Sequence, residues 1–239
     1  MATLYVVGIG PGAPEHFTTK AIETIKQCDV VVGYNYYIKL VSALIEGKKI
    51  IKTGMRSEIE RCELAIAEVK KGSDTCIIST GDAGLYGMAG PIYELARGID
   101  VEVIPGVSAV FSAAAELGAP LMHDFCTISL SDLLTPWEVI EKRLDMAARG
   151  DFVISLYNPK SKGRLTHIEK AVAIISKHFN AERPVALVKN AGREGNKRKL
   201  VRLEAMDYEF IDMKTIVIVG NSRTIIKNGN MITPRGYKI

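Results

Sequence analysis

The sequence predicts an α/β protein of two domains, the first a mostly parallel sheet with helices on both faces and the second a mixed sheet. Three observations predict it. In the first half, short apolar runs rich in β-branched residues alternate with longer stretches of helical period. Glycine-rich turns close three of those runs, as they do where strands of an open α/β sheet feed helices. Near residues 118–124 the alternation gives way to a pattern with more strand.

Taken in order, the first-half strands are expected at residues 4–8, 30–33, 49–52, 75–79 and 101–104. Ser57 followed by Glu60 reads as a capping box, and Ile59, Cys62, Ile66 and Val69 then recur on one helical face. The domain boundary falls at residues 119–123, giving domains 1–120 and 121–239 with no low-complexity linker and no internal repeat. A strand at 125–130 is followed by Thr135-Pro136-Trp137-Glu138, a helix start with a capping threonine and proline in the first turn. Strands at 152–157, 185–189, 199–203 and 215–219 and a helix at 165–179 complete the second half.

Composition narrows the class of function. The 239 residues are 47% hydrophobic and 24% charged, as in an ordinary globular protein. No apolar stretch approaches the ~20 residues of a membrane span, and the start has no signal-peptide pattern, so a cytoplasmic protein without membrane partners is expected. Cys28, Cys62, Cys76 and Cys126 are widely spaced, with no C-x-x-C pair, and His16, His123, His167 and His178 form no ligand pattern. No protein-bound metal is expected. A net charge of +4 is too mild to imply nucleic acid. Locally, Lys189, Arg193, Lys197, Arg198, Lys199 and Arg202 are opposed only by Glu194. That run reads as a solvated hairpin edge or as a rim that attracts a polyanion.

The first glycine turn, Gly8-Ile9-Gly10-Pro11-Gly12-Ala13-Pro14, formally matches a dinucleotide fingerprint. Two features oppose that reading. Pro11 and Pro14 remove N–H donors that a pyrophosphate would need. No acid ends the second strand where it could reach a ribose: Asp29 precedes that strand and Tyr34-Asn35 follows it. The second turn runs from Ser79 through Gly81-Asp82-Ala83-Gly84-Leu85-Tyr86 to Gly87, and the third is Ile104-Pro105-Gly106-Val107-Ser108-Ala109. One such turn needs only tight geometry; three at strand ends point to backbone that approaches a ligand.

These runs, G-I-G-P-G-A-P, S-T-G-D-A-G-L-Y-G-M-A and I-P-G-V-S-A, resemble the signatures of the tetrapyrrole (corrin/porphyrin) methylase family. The similarity continues through S-L-S-D-L-L-T-P-W, L-Y-N-P-K-S and V-K-N-A-G-R-E-G, so it covers almost the whole chain. G-D-A-G-L-Y-G-M with S-D-L-L-T-P-W most resembles the branch that methylates carbon 17 of precorrin-3B or cobalt-factor III with ring contraction. The resemblance implies an S-adenosylmethionine site built from both domains, with the substrate cleft in the first. It assigns Pro11, Gly81, Asp82, Leu85, Ser108, Ala109, Asn158 and Ala191 to the cofactor. Many relatives have Gly-Asp-Pro where this chain has Gly81-Asp82-Ala83. A corrinoid substrate, with or without cobalt, and a homodimer are implied too.

A sulfonium methyl is already electrophilic, so alignment and exclusion of water can supply most of the rate without a catalytic dyad. The aspartate that uroporphyrinogen methylases of the family are thought to use is matched here by Asn35, so that base does not carry over. Ring contraction calls for acid–base help. Candidates are Tyr34, Tyr36, Arg56, Glu58, His123 and Asp124, with Arg56 best suited to a substrate carboxylate. Each has a plain alternative: the tyrosines as packing residues, Glu58 as a helix-start acid, His123 as a boundary histidine. Two other functions share these features, a same-fold methyltransferase of RNA or protein side chains and a noncatalytic tetrapyrrole- or nucleotide-binding module.

Overall fold

A computed structural model describes residues 2–238. The chain divides into two compact units, Met1–Ala109 and Val110–Ile239. The division falls at the start of a helix, Ala109–Leu117, ahead of the boundary expected at residues 119–123.

The first unit carries strands β1 (Thr3–Gly8), β2 (Val30–Tyr34), β3 (Lys49–Thr53), β4 (Thr75–Ser79) and β5 (Asp100–Ile104), in the order β3-β2-β4-β1-β5. All neighbours are parallel. Helices α1 (Thr19–Gln27), α2 (Asn35–Leu40), α3 (Glu58–Lys70) and α4 (Ala89–Leu95) connect them. Alternate strand residues point to opposite faces, and the core splits accordingly. Leu4, Val6, Val32 and Ile77 pack with Cys62, Ala65 and Ile66 of α3 and Ile92 of α4. Val7, Val31 and Ile78 pack with Ala21 and Ile25 of α1 and Ile38 of α2. Helices on both faces explain why these strands read as unbroken apolar runs.

The second unit contains α5 (Ala109–Leu117), β6 (Gly118–Ala119), β7 (Phe125–Ser129), α6 (Trp137–Arg149), β8 (Val153–Tyr157), α7 (His167–Ile175), β9 (Pro184–Lys189), β10 (Lys197–Arg202), β11 (Thr215–Val219), β12 (Ile225–Lys227) and β13 (Asn230–Ile232). Its main sheet has the order β10-β9-β11-β8-β7. β7 and β8 are parallel and the remaining pairs antiparallel, so the sheet is mixed as expected. Ile140 and Leu144 of α6 and Ile168, Ala171 and Ile175 of α7 cover one face. A small sheet, β12-β13-β6, was not anticipated, because strands this short leave no periodic signal.

Three local expectations are corrected. Ser57 precedes α3 but its side chain makes no capping hydrogen bond. Ile59 is 54% exposed, so the buried face of α3 is carried by Cys62, Ala65, Ile66 and Val69. At α6 the cap position is Pro136 rather than Thr135, and the Pro136 carbonyl accepts from Val139 and Ile140. The indole of Trp137 steadies that turn by donating to Glu141 at 2.7 Å.

Candidate functional site

In the first unit the loops after β1, β4 and β5 leave the same, carboxyl edge of the sheet, and backbone locks them together. Ile9 N–H donates to the Ser79 carbonyl at 2.9 Å, and Gly10 and Gly81 exchange hydrogen bonds of 3.1 and 2.7 Å. The Asp82 carboxylate joins the third loop by accepting from Gly84 N–H at 2.8 Å and Gly106 N–H at 3.1 Å. A Cβ on Gly106 would lie 2.3 Å from the Gly81 carbonyl oxygen, and one on Gly8 would lie 2.8 Å from both that oxygen and Gly106 N. Gly8 and Gly106 are therefore small because loop meets loop, which replaces the expectation that all three turns are glycine-rich for a ligand.

Gly81 differs. Its φ is +71°, a left-handed conformation that glycine adopts without cost. A Cβ there would come no closer than 3.8 Å to its nearest neighbours, Ala109 N and Ser108 Cα. Gly81, Ser108 and Ala109 thus pack together as one small surface, at ordinary contact distance. Ser108 and Pro11 are buried, whereas Asp82 and Leu85 are half-buried in the same loops.

In the second unit β8 and β9 run in the same direction, each antiparallel to β11 between them. Asn158 and Ala191, which follow these strands, therefore come to one edge. Asn158 is left-handed (φ 51°) and donates through Nδ2 to Ser129 Oγ at 3.0 Å, at the end of β7. Ala191 is buried between left-handed Asn190 (φ 54°) and Gly192 (φ 61°). Glu116 holds this loop: its carboxylate accepts from Gly192 N–H at 2.8 Å and from Asn196 Nδ2 at 2.6 Å. At the other end of α5, Val110 N–H donates to the Tyr157 hydroxyl at 3.0 Å. Nothing in the sequence marks Glu116, a polar residue near the end of an apolar helix.

The remaining candidates separate. Tyr34 ends β2, and its ring meets Tyr37 edge-on at 5.2 Å. Tyr36, in the first turn of α2, is 39% exposed. Arg56 is exposed and left-handed (φ 66°), and Glu58 is exposed at the first position of α3, where an acid suits the helix dipole. His123 Nδ1 accepts from the adjacent Asp124 N–H at 2.9 Å. This pair precedes β7, so it lies at the edge of the second sheet opposite Asn158 and Ala191, a strand length of roughly 15 Å away.

Two further groups gain meaning. The S-D-L-L-T-P-W run converges on one histidine: Asp132 Oδ2 is 2.9 Å from His167 Nε2, and the Trp137 ring meets the imidazole edge-on at 4.7 Å. That hydrogen bond holds the Asp132 carboxyl below its ordinary range. The basic run is largely engaged locally. Lys189 pairs with Asp212 at 3.1 Å, Lys199 with Asp207 at 2.5 Å and Arg202 with Glu182 at 2.9 Å, while Arg198 donates to the Glu116 carbonyl. Lys189 and Lys199 also lie over the Phe210 ring. The run is the paired edge of a β-hairpin, β9–β10.

Among the described residues no group of three potential metal ligands is found, and no helix is long and apolar enough to cross a membrane.

Two successive α/β units, one with a parallel and one with a mixed sheet, give the fold class, and comparison with known proteins gives the family. Residues 3–207 match the model of the tetrapyrrole (corrin/porphyrin) methylases, and the chain belongs to that family. It is 51% identical to the probable cobalt-factor III C(17)-methyltransferase of Salmonella typhimurium, over 99% of this chain and 100% of that one. It is 46% identical to the cobalt-factor III methyltransferase of Priestia megaterium, covering 98% of this chain but 45% of that longer protein. A crystal structure of the methyltransferase CobJ superimposes with a TM-score of 0.92 at 33% identity, covering 98% of this chain and 100% of that one.

Proposed function

We propose that this chain transfers the methyl group of S-adenosylmethionine to carbon 17 of cobalt-factor III, with contraction of the macrocycle, in cobalamin biosynthesis. The observation that carries the reading is the full-length identity of 51% with a relative named for that reaction. The Priestia relative, named for the same substrate, favours the cobalt-bearing macrocycle over precorrin-3B.

S-adenosylmethionine supplies an electrophilic methyl group; the protein binds, aligns and shields the reactants. Pro11, Gly81, Asp82, Leu85, Ser108 and Ala109 in the first unit, and Asn158 and Ala191 in the second, are the residues that hold it. A Cβ on left-handed Gly81 would meet only the backbone of Ser108 and Ala109, at ordinary contact distance, which suits a surface that presents backbone to a cofactor. The Asp82 carboxylate is committed to two N–H groups, so Asp82 contributes loop shape rather than a charge contact. Arg56 meets a substrate carboxylate. Tyr34, Tyr36 and Glu58 stand at or beside the carboxyl ends of β2 and β3 and are the groups to examine for proton transfer. His123 and Asp124 have no part in this reading. The protein works as a cytoplasmic homodimer, a state that light scattering in solution would check.

The test is incubation of the pure protein with methyl-labelled S-adenosylmethionine and, separately, cobalt-factor III, precorrin-3B or ribosomal RNA. Label should enter cobalt-factor III fastest. Label in RNA alone rejects the corrinoid reading, and binding without transfer makes the chain a noncatalytic module. The ion pairs along residues 189–202 argue against an RNA-binding rim.

A further inference from the structure

We infer that Arg61 is a positioning residue for the acidic substrate: a buried guanidinium without a carboxylate partner, fixing the 53–56 loop so that Arg56 meets a carboxylate of the macrocycle. The inference rests on the proposed corrinoid substrate and deepens it.

Arg61 is only 4% exposed. Buried arginines are normally paired with an acid, because an uncompensated charge away from water is costly. Arg61 instead has three neutral acceptors. Nε donates to Thr53 Oγ1 at 2.7 Å, Nη2 to the Gly54 carbonyl at 2.9 Å and Nη1 to the Met88 sulfur at 3.6 Å. A thioether is a weak acceptor, so the positive charge stays largely uncancelled beneath the carboxyl edge of the first sheet. Glu58 and Glu60 open the same helix, but both are exposed and neither pairs with Arg61.

The groups that Arg61 touches belong to two runs that leave that edge. Thr53 and Gly54 begin the loop to α3, and Met88 ends the G-D-A-G-L-Y-G-M run. Each run carries a non-glycine residue in left-handed conformation, Arg56 (φ 66°) and Tyr86 (φ 55°), which persists only where the surroundings over-determine it. Arg61 hydrogen-bonds Gly54 and Met88, each two residues from one of these positions. Arg56 is exposed, and a Cβ on Gly54 would meet nothing within 4 Å, so the loop faces open space. A carboxylate arriving there would meet the Arg56 fork with a second positive charge behind it, which is the chemistry of a polycarboxylate macrocycle.

The test is titration of cobalt-factor III, followed by its absorbance, against the full-length wild type, Arg61→Met, Arg61→Lys, Arg56→Gln and the Arg61→Met/Arg56→Gln double variant. S-adenosylmethionine affinity is measured in parallel by calorimetry. Arg61→Met should weaken corrinoid binding about ten-fold, as for loss of a charged hydrogen bond, and leave the cofactor within about two-fold. Arg61→Lys should recover part of the loss. The double variant should bind no worse than Arg56→Gln, since Arg61 acts through Arg56. Unchanged corrinoid affinity, equal loss of both ligands, or additive losses overturn the inference. Should Arg61→Met not fold, Thr53→Val removes one acceptor and must still weaken the corrinoid selectively. A wild type that binds without methylating refutes the proposed reaction alone, because the affinity ratios still decide this point; one that binds no corrinoid overturns both.

Discussion

The two sheet edges solve the same problem with different atoms. In the first unit the loops are fastened mainly backbone to backbone: Gly10 and Gly81 exchange hydrogen bonds, and Gly8 and Gly106 touch the neighbouring loops directly, with the Asp82 carboxylate adding a side-chain link to Gly106 N–H. In the second, side chains do the fastening. Glu116 clasps the loop that contains Ala191, Asn158 reaches Ser129, and Asp132 grips His167. A backbone lock demands glycine at fixed positions, because any side chain would occupy the space of the partner loop. A side-chain lock asks only for a polar atom at the right end of a helix or turn.

The largest expected effect breaks the backbone lock. Gly106→Ala puts a Cβ 2.3 Å from a carbonyl oxygen and 2.6 Å from Gly8 carbon, both backbone atoms that cannot swing aside. We expect a loss of about 3 kcal/mol or more, at the top of the range for overpacking, read from urea unfolding. Gly81→Ala is the control within the same lock. Its Cβ has room at 3.8 Å, so the cost is the left-handed conformation alone, about 1–2 kcal/mol. If Gly81→Ala proved the more damaging, steric interlock would not be what holds these loops.

Breaking the side-chain lock should cost less. Glu116→Ala leaves Gly192 N–H without its acceptor and the exposed Asn196 amide with the Asn190 carbonyl alone, for about 1 kcal/mol. The signature is local: hydrogen exchange should speed at the 190–196 amides and not around Gly81. Affinity for S-adenosylmethionine should fall several-fold by calorimetry, with Glu116→Gln recovering part through its remaining carbonyl oxygen. Unchanged exchange across 190–196 would mean that the loop holds its own shape.

This contrast also accounts for what could be read from the sequence. All five parallel strands, the mixed character of the second sheet and the places of the three glycine turns were legible, because apolar runs and the punctuation between them are local signals. Glu116 and Arg61 were not, since each acts on residues whose proximity only the fold creates. Ser57 and Thr135 misled in part: the capping pattern is local, but it is the Ser57 carbonyl, accepting from Arg61 N–H, and the Pro136 carbonyl that open those helices, without a side-chain cap. His123-Asp124 stood out by residue type and by its place at the expected domain junction; which end of a strand such a pair occupies is set by the fold. The glycine turns themselves were read correctly in place and only partly in cause, Gly8 and Gly106 serving the neighbouring loop rather than a ligand.

The smallest effect separates the two locks by pH. Peptide hydrogen bonds such as Gly10–Gly81 do not titrate across the acid range, whereas the Asp132–His167 fastening does. The His167 hydrogen bond lowers the Asp132 carboxyl from its ordinary 3.8. A lowered folded-state value means that the pair's contribution is complete above the unfolded value, near pH 4, and is lost as pH falls through the folded one. Asp132 is 36% exposed, so solvent screening limits the effect to less than about 1 kcal/mol. Urea unfolding of the wild type and Asp132→Asn between about pH 5 and pH 2 should show a stability difference that shrinks toward the acid end. A difference that stayed constant through that window would mean that Asp132 holds the S-D-L-L-T-P-W turn by shape, and that this fastening is no more sensitive to charge than the Gly10–Gly81 peptide pair.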